Sequence, residues 1–95
     1  MTALAIETVG RQGASQNVAV TTTSAASTVL GSQTRVVLLV ATAACNIRIG
    51  DATPTAVAGD TLLPANFPLA LICSPGQKVA AITASTATLS VTEIY

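Results

Sequence analysis

The sequence contains no histidine and no tryptophan, and only one phenylalanine and one tyrosine among its 95 residues. General acid–base and nucleophilic catalysis most often use a histidine whose pKa lies near neutrality. The acidic residues are few and scattered rather than paired: Glu7, Asp51, Asp60 and Glu93. These absences predict a protein that is not an enzyme, with no catalytic residue, no cofactor and no metal site.

Charge is also scarce. Charged residues make up 8% of the chain, against roughly 25% in a typical soluble domain, and the net charge is zero. A chain without a basic patch and with so few aromatic rings is not expected to bind nucleic acid. Because charges are few and the net charge is zero, there is little electrostatic repulsion between separate copies of the chain. Small domains also gain stability by association, so we expect a homo-oligomer.

Two cysteines are present, Cys45 and Cys73, without the CxxC spacing and the histidines typical of zinc sites. We predict that both are small buried apolar residues, rather than a disulfide or a reactive thiol.

No segment predicts a membrane partner. The longest apolar run, residues 36–45, is roughly half of the ~20 residues that a spanning helix needs. Residues 1–10 lack a basic segment and contain Glu7, which does not fit a signal peptide. We therefore expect a protein that is neither exported nor bound to a membrane.

Short runs rich in Val, Ile and Thr, separated by Gly, Pro, Asn and Asp, predict β-strands through most of the chain. The apolar run 35–41 predicts a central strand covered on both faces. Pro68 predicts a sheet edge or a strand start, and Ser74-Pro75-Gly76-Gln77 predicts a type II turn. The last two strands are predicted to form a hairpin. The predicted strands are residues 17–23, 27–30, 35–41, 45–50, 61–63, 67–73, 78–83 and 88–94.

Seven or eight short strands predict an all-β fold, in which residues 17–95 form a single compact antiparallel β-sandwich or small barrel. Residues 1–16 are interpreted as an extended N-terminal arm, which is either a frayed terminus or a strand that pairs with a neighbouring molecule. Leu4, Ile6 and Val9 are the candidate interface residues of this arm, because a disordered tail would have no use for them.

Arg48 is the one basic residue that the strand pattern singles out. It alternates with Ile47 and Ile49, so its side chain is expected to point outward from an ordered strand. Two interpretations stay open: a solvated side chain, or an ion pair with an acidic residue of a neighbouring copy. Arg48 is therefore also a candidate interface residue.

The order of four segments in residues 17–95 is distinctive: Cys45-Asn46-Ile47-Arg48-Ile49-Gly50, then Asp60-Thr61-Leu62-Leu63-Pro64, then residues 75–82, then residues 89–93. This order resembles the small all-β structural proteins of tailed bacteriophages. Among them, capsid decoration (cement) proteins are similar in size.

The resemblance implies a non-enzymatic virion protein on the capsid exterior, assembled in the host cytoplasm. It further implies a homotrimer that binds the major capsid protein and stabilises the head shell by bridging capsomers. It brings no active-site residues. The alternatives are a phage tail or head–tail component and, from another class, a small ligand-binding β-module.

Overall fold

The structure is a computed structural model, and it describes residues 12–94. These residues contain strands and no helix, which confirms the predicted all-β fold. No helix within them could therefore cross a membrane. The strands are β1 (Gln12–Val20), β2 (Ala25–Ala26), β3 (Val36–Ala41), β4 (Cys45–Gly50), β5 (Thr61–Leu63), β6 (Leu69–Ile72), β7 (Lys78–Ile82) and β8 (Ala87–Ile94).

The eight strands form two four-stranded antiparallel sheets. Sheet A has the order β1-β8-β3-β6, and sheet B has the order β2-β7-β4-β5. The arrangement is a small β-sandwich, whose sheets face each other across one apolar core. β1 and β2 lie at one edge of their sheets, and β6 and β5 lie at the other.

The core between the sheets is built from aliphatic side chains supplied by alternate positions of the strands. Val37 and Leu39 of β3 and Leu89 and Val91 of β8 are fully buried from sheet A. Each large aliphatic side chain buried in this way contributes about 1.5–3 kcal/mol. Sheet B supplies Cys45, Ile47, Leu63, Val79 and Ala81.

The predicted hairpin of the last two strands is wrong. β7 lies in sheet B between β2 and β4, whereas β8 lies in sheet A between β1 and β3. Both strands have an apolar face, and those faces pack against each other across the core instead of the strands pairing edge to edge. Thr83, which follows β7, donates its N–H to Thr21 O and its hydroxyl to Ala44 O, and so directs the chain away from sheet B.

The predicted strand 27–30 follows β7 without forming a regular ladder. Ser27 N–H and Leu30 N–H bond to the carbonyls of Val79 and Gln77. However, the Val79 N–H is taken by the Ser27 hydroxyl, at 2.9 Å, rather than by a backbone carbonyl. A serine side chain that competes for a backbone donor interrupts strand pairing in this way.

The first strand begins earlier than the sequence pattern indicates. β1 starts at Gln12 and pairs with β8 from Gln12↔Ile94 to Val20↔Ala87. Residues 12–16, which the sequence assigned to the arm, therefore belong to sheet A. The rest of the predicted arm lies outside the described residues.

β3 is central, as predicted, but within the described residues only its inner face is covered by the other sheet. Val37, Leu39 and Ala41 point into the core, whereas Val36 and Leu38 point to the other side of sheet A and are half-buried. The apolar run therefore also contributes side chains to the outer face of sheet A, where they are half-buried.

The predicted type II turn is confirmed. Gln77 N–H donates to Ser74 O at 3.2 Å, Pro75 occupies the second position, and Gly76 has φ +85°. A type II turn requires this left-handed conformation at its third position, which glycine adopts without a steric cost. The turn brings the chain from β6 to β7, and so from sheet A to sheet B.

Candidate functional site

Among residues 12–94, the outer face of sheet A carries no charged side chain. Its side chains alternate with the buried ones, so they point away from the core. One row of register partners, Ser15, Thr92, Leu38 and Ala70, crosses all four strands. We call this surface the neutral face; its residues are Ser15, Asn17, Ala19, Val36, Leu38, Val40, Ala70, Ile72, Thr88, Ser90 and Thr92.

The neutral face combines apolar and hydroxyl side chains. Ile72 is 85% exposed at its edge, and Val36, Leu38 and Val40 line its middle. Hydroxyls tolerate both water and a hydrogen-bonded contact with protein; Ser15 Oγ and Thr92 Oγ1, for example, lie 3.2 Å apart on this face.

The outer face of sheet B is different, because the loop of residues 51–60 covers its middle strand, β7. This loop leaves β4 and reaches Ser24, next to β2, where Ala56 N–H donates to Ser24 Oγ at 2.9 Å. β7 lies between β4 and β2, so the loop crosses it. Ala80 of β7 and Ala56 of the loop are accordingly 0% and 1% exposed.

Arg48 holds this loop to the sheet. Its guanidinium makes a two-pronged ion pair with Asp60, with Nη2–Oδ1 at 2.9 Å and Nε–Oδ2 at 3.1 Å. Val57 N–H also donates to Asp60 Oδ2, at 2.9 Å. The hydrogen bond from Arg48, followed by that from Val57, lowers the pKa of Asp60. The outward direction of Arg48 is thus observed, but its acidic partner belongs to the same chain.

An open groove of about 320 Å³ lies next to this ion pair, between the β6 edge of sheet A and the β4–β5 edge of sheet B. Its lining is polar and apolar in about equal parts, and its two charged groups pair with each other. The side chains of Ile47, Ile49 and Leu71 supply its apolar part. It is lined by Ile47, Arg48, Ile49, Asp60, Thr61, Leu71 and Ile72.

Glu93 is a buried acid that sequence reasoning counted only among the scattered ones. It is 6% exposed, and its Oε1 accepts hydrogen bonds from Gly31 N–H, at 3.0 Å, and from the Thr34 hydroxyl. The spacing Leu89-x-Val91-x-Glu93 could have revealed it, because strand alternation places all three on the core face. Glu93 anchors the segment that leads into β3.

Both cysteines are free and buried, as predicted. Burial raises the pKa of the Cys45 thiol. Burial, and then the nearby Glu93 carboxylate, raise the pKa of the Cys73 thiol. Raised values disfavour the reactive thiolate. Within residues 12–94, no group of three acidic, cysteine or histidine side chains could hold a metal ion.

Of the candidate interface residues, Leu4, Ile6 and Val9 lie outside the described residues, and the structure does not bring them into any contact. Arg48 is 53% exposed beside the groove, and a contact of this residue with a neighbouring copy stays a prediction. The sequence predicted only one part of the neutral face, the apolar run in β3.

Comparison with known proteins adds no relative: no family model, no curated protein and no solved structure matches the chain.

Proposed function

We propose that the protein is a non-enzymatic structural component of a bacteriophage virion, a capsid decoration (cement) protein that forms a homotrimer and binds the outside of the head shell. The observation that carries this proposal is the neutral face, which spans four strands and which no segment of residues 12–94 covers as the loop covers part of sheet B. The resemblance in the order of segments supplies the viral context. Its alternative in the same context is a tail or head–tail component.

The proposed mechanism is mechanical. A decoration protein that binds only the assembled shell stabilises that state by mass action, by a free energy that grows with the logarithm of its free concentration relative to its dissociation constant. A neutral surface suits this role, because it contacts the shell without desolvating charged groups, which is costly. The hydroxyls of Thr88, Ser90 and Thr92 offer hydrogen bonds within the same contact.

The first test is whether the chain co-purifies with viral particles. Gradient-purified particles, separated into heads and tails, are analysed by mass spectrometry for this chain and for the major capsid protein. We expect the chain on heads, at a copy number comparable with that of the capsid protein. Its presence on tails alone would establish the alternative location, and its absence from all particles would contradict a virion role.

The second test places the neutral face against the shell. Leu38→Lys puts a charge in the middle of this face, and Leu62→Lys is the matched control, since Leu62 is 59% exposed on β5 of sheet B. We expect the Leu38→Lys chain to bind heads at least tenfold more weakly, while the control binds like the unmodified chain. Equal binding by both variants would show that another surface contacts the shell.

The groove supports the second candidate, a small ligand-binding β-module. Its volume of about 320 Å³ lies at the lower end of the range for small-molecule sites, about 300–1,000 Å³. However, Arg48 and Asp60 already satisfy each other there, which leaves few polar groups to orient a ligand. A screen for small molecules that raise the melting temperature, lost in Ile49→Lys, would support this candidate.

A further inference from the structure

β6 is an edge strand with unused backbone hydrogen-bonding groups. Within the described residues it pairs only with β3. Cys73 N–H, directly after β6, donates to Arg35 O on the β3 side. Backbone groups alternate in direction along a strand, so the N–H and C=O groups of Ala70 and Ile72 point away from β3, toward the open edge.

The other three sheet edges are protected in ways that β6 is not. β1 has a register shift between Gln12 and Ser15, and Gln16 Oε1 accepts a bond from Thr28 N–H beside it. β2 and β5 contain only two and three residues. Bulges, short strands and charges are the usual means of blocking an edge. β6, with the sequence Leu-Ala-Leu-Ile, has no charge and no proline within it.

A strand added at this edge would also cover the groove. Leu69 and Leu71 of β6 point inward and pack against the core, and Leu71 lines the groove together with Ile47 and Ile49. Alternate side chains of a fifth strand would continue the inward face of sheet A. Two apolar side chains spaced two residues apart would therefore lie against the groove.

The chain contains a segment with this pattern before its first described strand. Eleven residues precede β1, and within them Leu4 and Ile6 alternate with Ala3 and Ala5. Residues 1–6 carry no charged side chain, and neither does β6, so the incoming strand brings no charge of its own to the Arg48–Asp60 pair beside the groove. Leu4 and Ile6 match the spacing that the groove requires.

We propose that residues 3–6 of a second copy of this chain pair with β6 as a fifth strand of sheet A, with Leu4 and Ile6 in the groove. The proposal rests on the self-association that is part of the proposed function, and it names the contact responsible. The contact joins two different surfaces, so successive copies can close into a ring such as a trimer.

Residues 3–6 of the same chain would fit the edge of their own β6 poorly. Gln12, Ile94, Val36 and Ile72 form one row of register partners, so a fifth strand beyond β6 lies four strand spacings from Gln12, about 19 Å. Residues 7–11 span at most about 17 Å when fully extended. The bend onto β6 would then fall on Ala5 and Ile6, which removes Ile6 from the pairing. The paired strands would also be parallel, the less stable arrangement.

Two full-length variants disable the two halves of the contact separately. Ala70→Pro removes an outward N–H without breaking a β3–β6 hydrogen bond, as an edge proline can; Ala70→Thr is the matched control that keeps the N–H. Ile6→Lys places a charge on the incoming strand, outside both sheets. Circular dichroism verifies that each variant retains its β structure, and Ile6→Lys keeps the test valid if Ala70→Pro does not fold.

Light scattering at micromolar concentration measures the mass in solution. We expect the unmodified chain and Ala70→Thr to have three times the 9.4 kDa of one chain, and each disabling variant to have the mass of one. An equimolar mixture of Ala70→Pro and Ile6→Lys should form a dimer, because the intact segment of the first fits the intact edge of the second. An unmodified chain that is monomeric would overturn the proposal.

The mixture also shows whether residues 3–6 pair with β6 of another copy or with β6 of their own chain. Association that is lost in both variants and not regained on mixing would mean that the segment does not pair across copies as proposed. Particle binding is measured independently of this outcome. A monomeric Ile6→Lys chain that still purifies with heads would leave the proposed function intact, whereas a trimer that is absent from particles would contradict only that function.

Discussion

Glu93 presents an unusual problem at the scale of single residues, because a carboxylate buried in a small apolar core is costly unless it is hydrogen-bonded. Within the described residues no Lys or Arg forms an ion pair with it. Its compensation comes instead from Gly31 N–H and the hydroxyl of Thr34, which is fully buried. Cys73 Sγ lies 3.9 Å from Thr34 O, so the same cluster reaches the end of β6.

Removing this carboxylate should destabilise the fold. Glu93→Ala leaves Gly31 N–H and the Thr34 hydroxyl without their acceptor, and each unsatisfied buried group costs about 1–3 kcal/mol. We expect the free energy of unfolding to fall by about 2–4 kcal/mol, measured by urea denaturation. Glu93→Gln is the conservative control, since its amide oxygen can accept both bonds, and it should lose clearly less.

A double-mutant cycle identifies the hydrogen bond as the cause. Thr34→Val removes the hydroxyl at nearly constant shape, so Glu93→Ala should cost less in that background than in the unmodified chain. Strictly additive effects of the two substitutions would show that Glu93 acts through packing and not through Thr34.

At the scale of elements, the loop of residues 51–60 depends on one side chain that joins its two ends. Asp60 accepts bonds from Arg48 of β4 and from Val57 N–H, and Asp60 O accepts a bond from Asn46 Nδ2 at 3.0 Å. Because the loop covers Ala80 on the outer face of sheet B, its attachment determines whether water can reach that part of the face.

The pKa of Asp60 predicts how this attachment depends on pH. Folding lowers that pKa below its ordinary value of about 3.9, so the carboxylate stabilises the folded state above this pH. The stabilisation is lost as pH falls through the lower folded value. The difference in urea midpoint between the unmodified chain and Asp60→Asn should be constant from pH 7 to about pH 5 and should shrink below about pH 4.

Asp51→Asn is the control for this pH series, because Asp51 is an exposed acid of the same loop. We expect its midpoint to follow that of the unmodified chain over the whole range. A difference between the unmodified chain and Asp60→Asn that persisted undiminished to pH 2 would contradict the role given to the ion pair.

The elements also show how far sequence patterns reach. Residue alternation and turn chemistry predicted β4 and β5 with their observed bounds, and β3 within one residue. The same patterns could not assign strands to sheets, since β7 and β8 have equally apolar faces whether they pair edge to edge or pack across a core. The loop over sheet B was also missed, because Ala56 becomes buried only through a contact with a distant strand.

At the scale of the whole molecule, neither sheet can be stable alone. Sheet A buries Leu39 and Leu89, and sheet B buries Leu63 and Val79, in the same core. The loop of residues 51–60 lies on one outer side of the sandwich, and the neutral face forms the other. The two sides therefore differ in charge, since Arg48 and Asp60 lie on the loop side.

Because the two sheets share one core, we predict a single unfolding transition. Its midpoint should shift when a buried residue of either sheet is replaced. Leu39→Ala and Leu63→Ala each remove a fully buried side chain, one from each sheet, and should each lower the free energy of unfolding by about 2–5 kcal/mol. Leu62→Ala, at the exposed neighbour of Leu63, should have little effect. Circular dichroism in urea, at one fixed protein concentration because association contributes to stability, should show one cooperative transition in all three variants. Two transitions, with only that of the altered sheet displaced, would mean that the sheets fold independently and that the core does not join them.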